Sequence, residues 1–186
     1  MMKKEVHIVI CGAGPVQNIA CLVRQALMKD WGIQMIATQA ALQILKDNQI
    51  DIEYLSNITG RSLVSEAREH PLSIAEAIIV APATRNTIVQ LASNEKADTK
   101  PSYAVVHLKD AVEAKIPIVI LPSIKQDIMT PDFLGRVDDL RNKGVEVLLG
   151  KGGVNPTNAS SRDGPISFPW HLAVEKVESI LYVPSY

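Results

Sequence analysis

The sequence predicts an α/β fold of three layers, a parallel sheet of about six strands with helices on both faces. Two observations carry that prediction. Short apolar runs alternate along the chain with segments whose apolar residues recur at helical spacing, and strand–helix–strand repetition makes crossover units that run parallel. The apolar runs are also hydrophobic at nearly every position, as expected of strands covered on both faces. At 186 residues the chain matches one domain of about 150 residues better than two. Residues 1–186 are therefore expected to form a single domain.

The elements come in a regular order. Residues 5–11 (EVHIVIC) are apolar and β-branched, a first strand. Val16, Ile19, Ala20, Val23 and Leu27 then recur at helical spacing ahead of Gly32, a helix with a stop. Residues 32–37 read as the second strand, 40–46 as a helix, 52–55 as a weak third strand and 62–69 as a helix. Residues 77–81 (AIIVA) form the fourth strand, with helices over 84–92 and 103–114, and 118–121 (IVIL) the fifth. Thr130 can cap the next helix, Pro131 suits its first position and Asp132 its positive end. Phe133, Leu134, Val137 and Leu140 make its apolar face, and Gly144 ends it. Residues 145–149 form the sixth strand and 170–181 the last helix. Residues 150–169 carry four Gly and three Pro without periodicity. A connection that long reads as a loop or arm: a lid, a binding loop or a subunit contact. Its end, Phe168-Pro169-Trp170, can anchor that arm or pack the last helix onto the sheet.

Composition narrows the function. Nineteen basic and 20 acidic residues give a net charge of −1, without the basic field that nucleic-acid binding draws on. Aromatics at 4% leave few platforms for stacking bases. No apolar run approaches the roughly 20 residues that span a bilayer, and the run after Met1-Met2-Lys3-Lys4 is too brief for a signal peptide. A cytoplasmic protein with reduced thiols is expected. Cys11 and Cys21 are not a Cys-x-x-Cys pair and read as packed thiols. No His, Cys, Asp or Glu spacing suggests a metal site.

In an open parallel sheet, ligands sit beyond the carboxyl ends of the strands. The loop after the first strand is Cys11-Gly12-Ala13-Gly14-Pro15. Its glycines either let backbone N–H groups approach a phosphate at a helix start or only make a tight turn. A dinucleotide fingerprint needs a third glycine where Gln17 stands, and an acidic residue near the end of the second strand. That strand ends in Ala37-Thr38-Gln39. The pattern points away from NAD, and the Thr38 hydroxyl suits a terminal phosphate.

The loop after the fourth strand is Ala81-Pro82-Ala83-Thr84-Arg85-Asn86-Thr87. It resembles the Pro-Ala-Ser-Ala-Asn-Thr motif of the flavin-containing cysteine decarboxylases, which include phosphopantothenoylcysteine decarboxylase and the peptidyl-cysteine decarboxylases of lantibiotic synthesis. Pro82, Ala83, Asn86 and Thr87 match, Thr84 stands for Ser and Arg85 for Ala. Ala97-Asp98 lies where the family often has the same pair. The resemblance spans about residues 5–149. It implies a Rossmann-like fold, bound FMN and a homotrimeric building block with flavin near the subunit contacts. It assigns Gly12, Ala13, Gly14, Thr38, Pro82, Ala83, Thr84, Asn86 and Thr87 to the cofactor.

The family's Pro-x-Met-Asn-x-x-Met-Trp motif is represented by Pro122-Ser123-Ile124-Lys125-Gln126-Asp127-Ile128-Met129. Lys125 replaces the Asn that faces the substrate carboxylate. It either pairs with that carboxylate as a mobile point charge or is a solvated loop residue. The family's catalytic His lies just before the fourth strand. Ungapped counting puts Arg68 there, and His70 fits with a short deletion. His70 is suited to acid–base work near neutral pH, or is a turn residue before Pro71. His7, His107 and His171 carry no signal, and Asp138-Asp139 reads as a solvated face.

The resemblance implies FMN-dependent oxidation of a cysteine-derived thiol, followed by loss of carbon dioxide, a lyase-type reaction. The flavin does the redox step and the protein places the thiol against it. Two alternatives stand beside it: an FMN-binding subunit or regulator without decarboxylase activity, and a flavin prenyltransferase-like enzyme.

Overall fold

A computed structural model of the chain describes residues 3–67, 71–93, 100–156 and 168–182. Five parallel strands form one sheet: β1 (Glu5–Ile10), β2 (Gly32–Ala37), β3 (Ala77–Ala83), β4 (Ile118–Pro122) and β5 (Glu146–Val147). Their order is β2-β1-β3-β4-β5. In register, Ile8 lies between Met35 of β2 and Ile79 of β3. The chain leaves β1 toward one side of the sheet and returns to β3 on the other. The switch point is therefore between the carboxyl ends of β1 and β3, where a crevice opens.

Alternation along the strands loads both faces. Val6, Ile8 and Ile10 join a core covered by α1 (Ile19–Leu27), α2 (Gln39–Asp47), α3 (Ile52–Thr59) and α7 (Trp170–Leu181). Val9, Cys11, Ile78, Val80, Ile118 and Ile120 join a second core under α4 (Arg85–Ala92), α5 (Tyr103–Glu113) and α6 (Pro131–Asn142). Such double coverage explains the unbroken apolar runs.

Several expectations need correction. Residues 52–55, read as a strand, begin helix α3. The Asp51 side chain accepts from the Tyr54 N–H at 2.7 Å, and Gly60 ends the helix at φ 70°. That conformation favours glycine. Residues 62–67 are not helical. Val64 makes a parallel bridge to Ile36, with its N–H donating to the Met35 carbonyl at 3.0 Å. Among the described residues the sheet thus has five strands and a one-residue bridge where six strands were expected. Residues 14–18 form a 3-10 turn ahead of α1. Leu134, assigned to the apolar face of α6, is 39% exposed, while Phe133, Val137 and Leu140 are buried. Thr130 does cap that helix, accepting from the Phe133 N–H at 3.2 Å. Cys21 is exposed, not packed; Cys11 is buried.

The start of the 150–169 segment is held tightly. Gly150 and Gly152 lie at φ 85° and 80°, and Val154 folds back to bridge Leu149. A Cβ at Gly153 would stand 2.3 Å from the Leu148 carbonyl carbon. The rest, residues 157–167, lies outside the described residues. At its end Phe168 and Trp170 meet edge to face with centroids 4.7 Å apart. Trp170 is buried in the first core, so it packs the last helix onto the sheet.

Candidate functional site

Backbone bonds tie three loops together at the carboxyl edge. The Cys11 N–H donates to the Pro82 carbonyl at 3.1 Å, and the Ser123 N–H to the Ala83 carbonyl at 2.8 Å. The Ala81–Pro82 peptide is cis, and Pro82 and Ala83 are buried in the last turn of β3. The chain then turns at Thr84 into α4. This places the next side chains beside the loop from β1 and the start of α2.

A cavity of about 450 Å³ opens there, within the size range of small-molecule sites. Of the residues predicted from sequence, Gly12, Thr38, Thr84, Asn86 and Thr87 line it together. Ala13, Gly14, Pro82 and Ala83 do not line it; the last two shape it through their backbone. Lys125 is exposed at the start of a short 3-10 turn, outside the cavity lining. Arg68, His70 and Ala97-Asp98 lie outside the described residues.

Sequence reasoning missed part of the wall. Gln39, Ala40 and Gln90 contribute from α2 and α4, Lys100, Pro101 and Ser102 from the approach to α5, and Val105 from its first turn. The Pro-Ser pair before Tyr103 is a helix-start signal that could have drawn attention to that end.

Three helices begin at this cavity, each capped by a lining hydroxyl. Thr38 accepts from the Ala41 N–H at 3.2 Å, Thr84 from the Thr87 N–H at 3.3 Å, and Ser102 from the Val105 N–H at 3.3 Å. Helix N-termini carry partial positive charge and attract anions. Among the described residues, no Asp or Glu lines the cavity, and Lys100 is its one charged lining residue. The site is therefore suited to an anionic ligand.

Polar detail refines the floor and wall. Thr87 is buried, its hydroxyl 3.2 Å from that of Thr84. Beneath it, burial pushes the Cys11 thiol up from its ordinary pKa, opposed by hydrogen bonding to Thr87 and the Thr84 backbone. Cys11 is thus held as a neutral thiol. Asn86 Oδ1 accepts from Gln90 Nε2 at 3.1 Å, which leaves the Asn86 Nδ2 donors for a ligand. Gly12 is required sterically. A Cβ there would lie 2.6 Å from Ala40 Cβ, so the β1 loop closes onto α2 only through a glycine. Gly14, by contrast, faces open space.

Away from the cavity, the two histidines that carried no signal form a pair. His7 Nδ1 and His107 Nε2 are 3.0 Å apart. Burial, then the neighbouring His107, lowers the His7 pKa to about 4. Burial lowers His107 as well. Among the described residues, no cluster of three or more His, Cys, Asp or Glu is placed to hold a metal, and no helix is long and apolar enough to cross a membrane.

A family model described as Flavoprotein matches residues 1–166. No curated protein matches the chain in sequence. Among solved structures, the FMN-binding protein AtHal3 aligns with a TM-score of 0.72 over 100% of both chains at 12% identity. The FMN-dependent cysteine decarboxylase SpaF aligns at 0.59, over 78% of this chain and 83% of its own, at 19% identity. A dodecameric FMN-dependent UbiX-like decarboxylase from Escherichia coli O157:H7 aligns at 0.67 over 98% of both, at 12% identity. At these identities the likenesses establish the fold.

Proposed function

The chain belongs to the flavoprotein family, and on that premise we propose that it binds FMN at the carboxyl edge of the sheet and uses it to decarboxylate a cysteine-derived thiol. The observation that carries the FMN reading is the cavity with three capped helix starts and, among the described residues, no carboxylate in its lining. A phosphomonoester fits such a site, and its described lining has no acidic ribose anchor of the kind NAD needs. When bound, FMN supplies the two-electron oxidation. The chain's own residues bind and orient. Thr38, Thr84 and Ser102 present helix N-termini to the phosphate, and Asn86 donates from Nδ2. His70 takes the thiol proton, and Lys125 attracts the substrate carboxylate.

Visible absorption of the purified protein and calorimetric titration with FMN, FAD and NAD test the binding. A flavin band and preference for FMN are expected; tight binding of a dinucleotide with no affinity for FMN overturns the reading. The reaction is tested by carbon dioxide release from cysteinyl compounds with the FMN-loaded protein. A second reading, an FMN-binding protein without decarboxylase activity, is favoured by Lys125, whose side chain is exposed and bonded to no described residue. Release of carbon dioxide that is lost in Lys125→Ala supports the enzyme; FMN binding without release supports the second reading.

A further inference from the structure

We propose that Lys100 is the residue by which this site selects a phosphorylated ligand over its unphosphorylated counterpart. The inference rests on the FMN reading and adds a residue to which neither the sequence motifs nor the family resemblance gave a role. Lys100 lines the cavity two residues before Ser102, the cap of α5. Its side chain makes no hydrogen bond or ion pair with any described residue. None of the described groups around the cavity therefore claims its ammonium. Among the described residues, other cations also follow the carboxyl ends of the strands. Like Lys100, Arg85, in the first turn of α4, and Lys125, after β4, are exposed, but neither is in the cavity lining.

The remaining described wall is neutral: hydroxyls, amides, backbone and the apolar side chains of Ala40, Pro101 and Val105. Hydroxyls already used as caps hold a ligand without distinguishing a phosphate from another acceptor. A charge-assisted hydrogen bond from an ammonium does distinguish them, because it gains most from a doubly charged oxygen cluster. The converging helix ends add to the same field. The chemistry recognised is thus a phosphomonoester on an otherwise uncharged body. Both riboflavin and FMN can fill the cavity, and Lys100 separates them.

The experiment measures the affinities of the full chain for FMN and riboflavin by flavin fluorescence quenching, in low and high salt. Lys100→Ala is expected to weaken FMN about tenfold, as for loss of one charged hydrogen bond, and to leave riboflavin unchanged. Lys100→Arg restores most of the preference. The salt dependence of FMN binding becomes shallower in Lys100→Ala, since one ion pair has gone. Lys46→Ala, which removes the same charge from the far end of α2, controls for net charge and changes nothing. Unchanged riboflavin affinity shows that the variant is folded. If Lys100→Ala leaves the FMN-to-riboflavin ratio intact, or weakens both equally, the inference falls while the FMN reading stands. If the unaltered chain binds neither flavin, the FMN reading falls and takes the inference with it.

Discussion

Asn86 has half of its amide committed to Gln90, so its value to a ligand lies in the Nδ2 donors. Asn86→Asp replaces those donors with a second acceptor and adds a charge in the first turn of α4, where a carboxylate suits the helix dipole. The fold should hold while flavin affinity drops by about 1–3 kcal/mol. Titration with FMN, alongside a denaturation curve, checks both halves. Unchanged affinity would reduce Asn86 to a helix-start residue. His7 makes a different claim. Its pKa is about 4 when folded, below the unfolded value of about 6.5. Between those values the unfolded chain holds the extra proton, so stability rises with pH. The contribution is complete above about pH 6.5 and is lost progressively as pH falls toward 4. Glu5 and Arg61 also face the ring, raising and lowering its pKa respectively. The loss should reach on the order of 3 kcal/mol. Urea denaturation at stepped pH should show it, with a flatter profile in His7→Gln; an equally steep profile in that variant would assign the effect elsewhere.

At the scale of elements, Gly12 decides how closely the β1 loop meets α2. Gly12→Ala places a methyl against Ala40 Cβ and its backbone carbon, at 2.6 and 2.9 Å. The helix start must move, at a cost of about 1–3 kcal/mol typical of overpacking, and flavin affinity should fall with it. Gly14→Ala meets nothing within 4 Å and should keep stability within about 0.5 kcal/mol. Comparing the two melting curves tests whether the loop's glycines serve different ends; equal effects would refute that. The helix starts are legible because capping is written locally: Thr38, Thr84, Ser102 and Thr130 each stand three residues before the N–H they accept from. Helix α3 reads as a strand because Ile52 and Leu55 alone do not separate the two, although Asp51 and Gly60 mark its ends. Val64 reads as helical because a single bridging residue has no period. The site is half legible. Its motif loops announce themselves, whereas Lys100 and Ser102 join it only through the packing of α4 against α5. The His7–His107 pair spans 100 positions and leaves no local trace.

For the whole molecule, the expected state is a homo-oligomer built from trimers, as the family resemblance implies. Light scattering at micromolar concentration should report a multiple of three chains; a monomer contradicts it. The sheet itself limits how such an assembly can form. Beyond β2, Val64 takes the outer bonds of Met35 and Ala37, and Gln34 Nε2 donates to the Ser62 carbonyl at 2.9 Å. Beyond β5, Arg141 Nη2 donates to the carbonyls of Val147 and Leu149 at 3.0 Å each, and the turn that brings back Val154 pairs its N–H with the Leu148 carbonyl. Both margins of the sheet are thus partly occupied from within, a protection native edge strands commonly carry. Chains protected in this way do not join by continuing one another's strands. Their contacts fall to helices and loops, whose shapes close into rings of fixed number, and open-ended fibre growth is denied its template.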